Sequence, residues 1–295
     1  MSNEKPIIAQ RQDKMKLGII GHGFVGQAVD YGFSTASVEK FIVDPKYTDG
    51  NTLQDLCEWE PNCVFVCAPT PANDDGSADC SIVEEAVIKL VNLTDSFIVI
   101  KSTIPPDVVD SLMNLDEKII YCPEFLTEGN AKENFIHAPY RIVGVSHDSQ
   151  RQYIEGLFQG FSICSHSQII PMSGVEAAFF KYSINTFLAM KLTFFNQLYD
   201  YMGDFGGNYY SVAKAIGVDS RIGPSHKTIP GTDGKRGFGG ACFPKDLDAF
   251  IHFIENNTEV EPKLLKTVKE INSNYRSQYN LGDREKANNI RFDNE

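Results

Sequence analysis

The stretch "KLGIIGHGFVGQAVDYGF", residues 16–33, limits the fold more than any other. An apolar run, Leu17 to Ile20, leads into Gly21, Gly23 and Gly26, spaced G-x-G-x-x-G, and Val25, Ala28 and Val29 then open a helical pattern. The first glycine permits a tight turn, the second a close approach to a pyrophosphate, and the third close packing of helix on strand. The helix start offers free N–H groups to the phosphates. The next apolar run, "FIVDP", ends at Asp44, 18 residues beyond Gly26. A carboxylate there accepts from both ribose hydroxyls and repels a 2′-phosphate, so the pattern favours NAD over NADP.

Four more short apolar runs follow: "CVFVCA", "FIVIK", "KIIY" and "RIVGV". Three lead into turn segments with polar side chains, "PTP", "STIPP" and "PEFLTEG". Ligands of open parallel sheets sit beyond the carboxyl ends of the strands. Thr70, Ser102, Thr103, Glu124 and Glu128 are therefore expected along one rim. Ser102 taken alone reads as a turn residue.

From Ser173 the pattern changes. Ser173 and Glu176 have capping-box spacing, and nothing interrupts a helix before Gly203. This helix is apolar nearly all round, as in a buried helix or a subunit interface. Lys181, Asn185 and Asn196 are set into it on one stripe, Asn185 about 40° from Lys181 and Asn196 about 20° further. A lysine in such surroundings needs a partner or a use. Further on, Pro244 suits the first turn of a helix carrying Leu247, Phe250, Ile251 and Ile254. Cys242 then lies just ahead of a helix start with Lys245 close by, and both favour its thiolate. "KTVKEINSNYRSQYN" reads as one more helix, with a polar tail after it.

The expected fold is thus an α/β, Rossmann-type doubly wound parallel sheet over residues 15–172. A smaller all-α domain on a long central helix, residues 173–280, follows it. Residues 1–14 read as a polar extension and residues 281–295 as a polar tail. The net charge of −12 argues against a nucleic-acid-binding surface. No apolar run is long enough for a membrane span. The seven cysteines form no C-x-x-C pair and no zinc spacing, which points to no metal site and to a reducing, cytoplasmic setting.

"GFGGACFPKD", with "GHGFVG", "APTP", "KSTIPP", "PEFLTEG", the Lys181/Asn185 pair and "DSRIG" in the same order, resembles the UDP-glucose 6-dehydrogenase / nucleotide-sugar dehydrogenase family. The likeness runs from about Lys16 to about Tyr279. The resemblance implies NAD-dependent oxidation of the C6 alcohol of a nucleotide-linked hexose, UDP-glucose first among them, to the acid. Cys242 would be the nucleophile that captures the intermediate aldehyde as a thiohemiacetal and carries it on as a thioester. Glu124 would be the base for the hydrolytic water and Lys181 the stabiliser of the oxyanion. Asp246 and Thr103 would position a water or the reacting hydroxyl. Asn185, Gly239 and Arg221, with Glu124 and Lys181, would hold the substrate, Arg221 reaching its pyrophosphate. Gly21, Gly23, Val25, Gly26, Asp44, Thr70, Thr103, Glu128 and Lys245 would contact NAD. The resemblance also implies a homodimer through the central helix. Two departures accompany it: a short form is expected, without the third, Rossmann-like domain of most relatives, and "KTIPGTDGKRG" replaces the usual substrate loop. Met15 resembles the point at which relatives begin. Two other readings remain open: a β-hydroxyacid-type dehydrogenase, which would use Lys181 and Asn185 but not "GGACFPKD", and a non-catalytic protein that binds NAD or a nucleotide sugar.

Overall fold

A computed structural model of the chain describes residues 14–292, apart from the side chain of Glu128. The polar extension read at residues 1–14 lies, but for Lys14, outside the described residues. The chain divides into two compact units. The first holds the described residues through Thr70 and then Cys80–Lys181; the second holds Pro71–Asp79 and the described residues from Tyr182 onward.

The first unit is built on one sheet of seven strands: β1 (Met15–Ile20), β2 (Val38–Val43), β3 (Cys63–Val66), β4 (Phe97–Ile100), β5 (Ile119–Tyr121), β6 (Tyr140–Gly144) and β7 (Gln168–Met172). Their spatial order is β2-β1-β3-β4-β5-β6-β7. Every neighbouring pair is parallel except β5–β6, which is antiparallel. β3 and β4 are Val-, Ile- and Phe-rich runs, nearly all buried, as expected of parallel strands covered on both faces. The helices between strands are α1 (Phe24–Gly32), α2 (Leu53–Glu58), α3 (Ser81–Leu93), α4 (Pro106–Met113), α5 (Ala131–Ile136) and α6 (Asp148–Phe161). Leu17, Ile19, Val29, Phe33, Phe65, Val99 and Phe135 are fully buried in its core. The chain leaves β1 toward β2 on one side and reaches β3 on the other. That reversal opens a crevice at the carboxyl ends of β1 and β3, where open α/β sheets take their ligands.

β7 does not stand out in the sequence. It is a half-exposed edge strand containing Pro171, and it lacks both alternation and a solid apolar run.

α7 (Gly174–Asp204) begins as its capping box predicts. Ser173 N–H and Oγ donate to Glu176 Oε2 at 2.8 and 2.9 Å, and Glu176 N–H donates back to Ser173 Oγ at 3.3 Å. The division between units falls inside this helix, between Lys181 and Tyr182, and not at its start. The first turns of α7 pack within the first unit. A Cβ at Gly174 would meet Met113 Sδ at 2.2 Å, and Phe180 packs edge-on to Phe125 with ring centroids 5.7 Å apart.

The second unit holds the rest of α7 with α8 (Tyr209–Ile216), α9 (Phe243–Asn257), α10 (Lys263–Arg276) and α11 (Asp283–Ala287). Tyr182 stacks on Phe250 at 5.3 Å in one apolar cluster, and Phe238, Leu247, Ile251 and Val268 form another with Ala189. The loop 71–79 belongs here because Ala72 N–H donates to Asn288 O at 3.2 Å and Arg291 Nη2 to Asp74 Oδ1 at 2.5 Å. The segment that reads as a polar tail carries α11 and buries Glu285, Ile290 and Phe292. Two apolar side chains and one paired carboxylate are enough to dock it.

Among the described residues no helix is long and apolar enough to cross a membrane.

Candidate active site

Each unit carries part of the predicted site. In the first, the three glycines of the β1–α1 turn have distinct geometries. Gly21 has φ +85°, and a Cβ there would lie 2.6 Å from Cys67 O. A Cβ at Gly26 would lie 2.0 Å from Gly21 O, so only glycine lets α1 approach the strand end this closely. A Cβ at Gly23 would meet nothing within 4 Å, which leaves open space above the N-terminus of α1. Asp44 follows β2, and its carboxylate accepts from His22 N–H at 2.6 Å and Lys46 N–H at 2.8 Å. The backbone thus fixes the carboxylate beside the glycine turn. A cradle that a Cβ would fill, an open helix start and a fixed acidic group together fit a dinucleotide. Val25 is half-buried in the first turn of α1.

Thr70, Thr103 and Glu124 follow β3, β4 and β5, three adjacent strands. Thr70 Oγ1 donates to Thr103 O at 3.0 Å, which links two of these turns. Ser102 donates to Ala68 O at 2.7 Å, in keeping with a turn role. Glu124 is 8% exposed, and its carboxylate forms an ion pair with Lys101. The Glu124 carbonyl accepts from Lys181 Nζ at 2.7 Å. The lysine set into the apolar helix therefore has a partner within the first unit. Glu128 opens a single 3-10 turn, Glu128–Asn130, and its side chain lies outside the described residues.

Sequence reasoning passed over Lys101. Its side chain has no exposure, and Nζ also donates to Cys122 Sγ at 3.2 Å. Burial pulls its pKa down, but the electrostatic pull of Cys122 and Glu124 outweighs that and holds it above the usual lysine value of 10.5. A lysine closing the buried run "FIVI" was the available signal, since so buried a cation needs a counter-charge.

In the second unit Cys242 is the N-cap of α9, with Phe243 and Pro244 opening the helix as the sequence pattern predicts. Its side chain is half-buried. Burial pushes the thiols of Cys63 and Cys67 up to about 12, which keeps them protonated. One turn into α9, Asp246 is 2% exposed. Its Oδ1 accepts from Lys245 Nζ at 2.6 Å and its Oδ2 from Asn185 Nδ2 at 2.5 Å. Cys242, Lys245, Asp246 and Asn185 therefore form one cluster where α7 and α9 meet.

Asn196, the third polar residue of the α7 stripe, serves the glycine loop before Cys242. Its Oδ1 accepts from Gly237 N–H and Arg236 Nε, both at 2.9 Å. Arg221 is exposed and grips Asp219 of its own turn at 2.6 and 3.0 Å. Gly239 is packed against Arg276 and Glu285, two residues that the sequence does not single out.

A parallel sheet with this glycine turn, followed by helices that present a cysteine at a helix start, defines a dinucleotide-binding protein of two units. The model of the UDP-glucose/GDP-mannose dehydrogenase family's NAD binding domain matches residues 59–162, and that of its central domain matches residues 175–274. The chain belongs to the UDP-glucose/GDP-mannose dehydrogenase family. It is 32% identical to a UDP-glucose 6-dehydrogenase of Rickettsia felis over 230 residues, which cover 75% of this chain and 49% of that one. The chain spans about half the length of the curated relatives it matches. A UDP-glucose dehydrogenase of Pyrobaculum islandicum superposes with TM-score 0.77 at 26% identity, over 90% of this chain and 69% of the other. A Mycobacterium tuberculosis 3-hydroxyisobutyrate dehydrogenase superposes with TM-score 0.68 at 17% identity, over 95% and 97%, and shares the fold.

Proposed function

We propose that the chain catalyses NAD-dependent oxidation of the C6 alcohol of a nucleotide-linked hexose, UDP-glucose first among them, to the uronic acid. The observation that carries this reading is Cys242 at the start of α9, one turn before an Asp246 carboxylate held by Lys245 and Asn185. A β-hydroxyacid dehydrogenase has no use for a thiol in that place.

The glycine turn and Asp44 would hold NAD, which would supply the acceptor for the hydride lost from carbon in each of two oxidations, the first of which also releases the hydroxyl proton to water. The chain's own residues do the rest. The Cys242 thiolate adds to the aldehyde carbon, forming a C–S bond, and the carbonyl electron pair moves onto oxygen. The Lys181 ammonium stabilises that oxyanion. After the second oxidation the carbon is a thioester. Glu124 takes a proton from water as the water attacks, the C–S bond breaks, and the sulfur leaves as thiolate. Thr103 and Asp246 orient the hydroxyl and the water, and Asn185, Gly239 and Arg221 face the substrate. Val25, Thr70, Glu128 and Lys245 complete the cofactor contacts.

The test is a screen of the chain with NAD against UDP- and GDP-hexoses, following NADH and product mass. The expected result is two NADH per sugar consumed and a carboxylate product. One NADH per sugar with a ketone or aldehyde product overturns the reading, as does cofactor binding without turnover on the whole panel.

The reading includes a homodimer through α7. Phe187, Phe194 and Tyr201 are 56%, 58% and 57% exposed and lie seven residues apart on one face. A heptad-spaced aromatic stripe suits a second copy of itself about a two-fold axis. Light scattering should give twice the chain mass for the parent and the single-chain mass for Phe194→Glu, with unchanged circular dichroism. A monomeric parent sinks the dimer. A reducing compartment suits seven free thiols.

A further inference from the structure

The loop before Cys242 makes no strand or helix, yet its backbone is held at almost every step. Gly237 N–H donates to Asn196 Oδ1 of α7 at 2.9 Å. Phe238 N–H donates to Asn272 Oδ1 of α10 at 2.7 Å, and Asn272 Nδ2 returns a bond to Phe238 O at 3.0 Å. Gly240 N–H donates to Glu285 Oε1 of α11 at 3.1 Å. Gly237 and Gly240 have φ of +73° and +77°, which other residues adopt only at a cost.

Glu285 is the last of these anchors before Cys242 and the most heavily used. It is 3% exposed. Oε1 also accepts from Arg276 Nη2 at 2.6 Å, and Oε2 accepts from Gly282 N–H at 2.7 Å. Arg276 is 2% exposed, and its Nη1 reaches Asp233 Oδ2 at 2.7 Å. A Cβ at Gly239 would lie 2.2 Å from Arg276 Nη2 and 2.3 Å from Glu285 Oε1, so the ion pair is pressed against the loop. That contact, and not room for a ligand alone, requires glycine at 239.

We propose that Glu285, held by Arg276, is a positioning residue for Cys242: it pins the Gly240 N–H and so keeps the sulfur at the start of α9. The thiolate gains from that helix end only while it stays within the first turn. Glu285 acts through the backbone and touches no reacting atom. The proposal rests on Cys242 being the nucleophile of the reading above, but its test needs neither sugar nor cofactor.

The experiment is alkylation of Cys242 by iodoacetamide across pH, read by mass spectrometry of the Cys242 peptide in the full chain. In Glu285→Ala the midpoint of the pH–rate profile should rise by about one unit, slowing the reaction about tenfold at neutral pH. Glu285→Gln removes the same charge but keeps an oxygen for the Gly240 N–H, so its midpoint should stay at or below the parent's. Loss of a nearby negative charge alone would lower the midpoint in both variants, and that outcome overturns the proposal. So does an unmoved midpoint in a folded Glu285→Ala, which would leave Glu285 a stabilising residue only. Should Glu285→Ala not fold, Glu285→Asp decides: it keeps the charge but falls one methylene short, and a parent-like midpoint overturns the proposal.

Discussion

Cys242→Ala is expected to form no acid from any nucleotide sugar, with NAD binding retained. The loss should reach at least about three orders of magnitude, as when a covalent nucleophile is removed. Alcohol-to-aldehyde oxidation does not require the sulfur, so up to one NADH per bound sugar is compatible with the variant. A second NADH and a carboxylate are not. The side chain is half-buried and only a sulfur is removed, so the thermal midpoint should move little. NADH yield and product mass from one preparation check this. Acid formed at the parent rate would remove Cys242 from the chemistry.

Lys101→Met should have the largest effect on stability. The substitution leaves the buried Glu124 carboxylate without its ammonium, and breaking such a pair costs about 3–5 kcal/mol. The thermal midpoint should fall by roughly 6–12 °C or more. Lys101→Met with Glu124→Leu should recover much of that, because two apolar side chains replace the pair and no charge is stranded. The double variant should still lack acid-forming activity if Glu124 is the base. The pair's contribution also has a definite pH sign. The Lys101 pKa is raised in the folded chain, so its stabilisation is fully present below pH 10.5 and fades only as the solution becomes strongly alkaline. A single variant as stable as the parent would show that Glu124 has another counter-charge.

The parts legible in the sequence are those written in local signals. The β1–α1 turn could be read because its glycines and Asp44 lie within one strand–helix–strand unit. The Ser173–Glu176 cap marked the start of α7 three residues ahead, and Pro244 marked the start of α9. Other features depend on residues that meet only after folding. β7 is a half-exposed edge holding a proline, so no period reveals it. A continuous helix such as α7 gives no sign that its first turns belong to one unit and the rest to another. Lys101 looks like an ordinary strand-end lysine until Glu124 and Cys122 close around it. Arg276 and Glu285 sit in polar stretches, and only the fold brings them against Gly239. The glycines of "RGFGGAC" could be seen, but one reason for them could not: the space at Gly239 is filled by an ion pair from a later part of the chain.

The loop 71–79 bears on how the molecule is made. It emerges early in synthesis, and its partners Asn288, Asn289 and Arg291 emerge about two hundred residues later. The second unit therefore cannot close until the ribosome has passed them. The sheet has all its strands well before then, so it can assemble while that loop is still without its neighbours. Contacts this distant along the chain slow the final step, and a nascent chain halted short of residue 288 would leave the loop open to proteases.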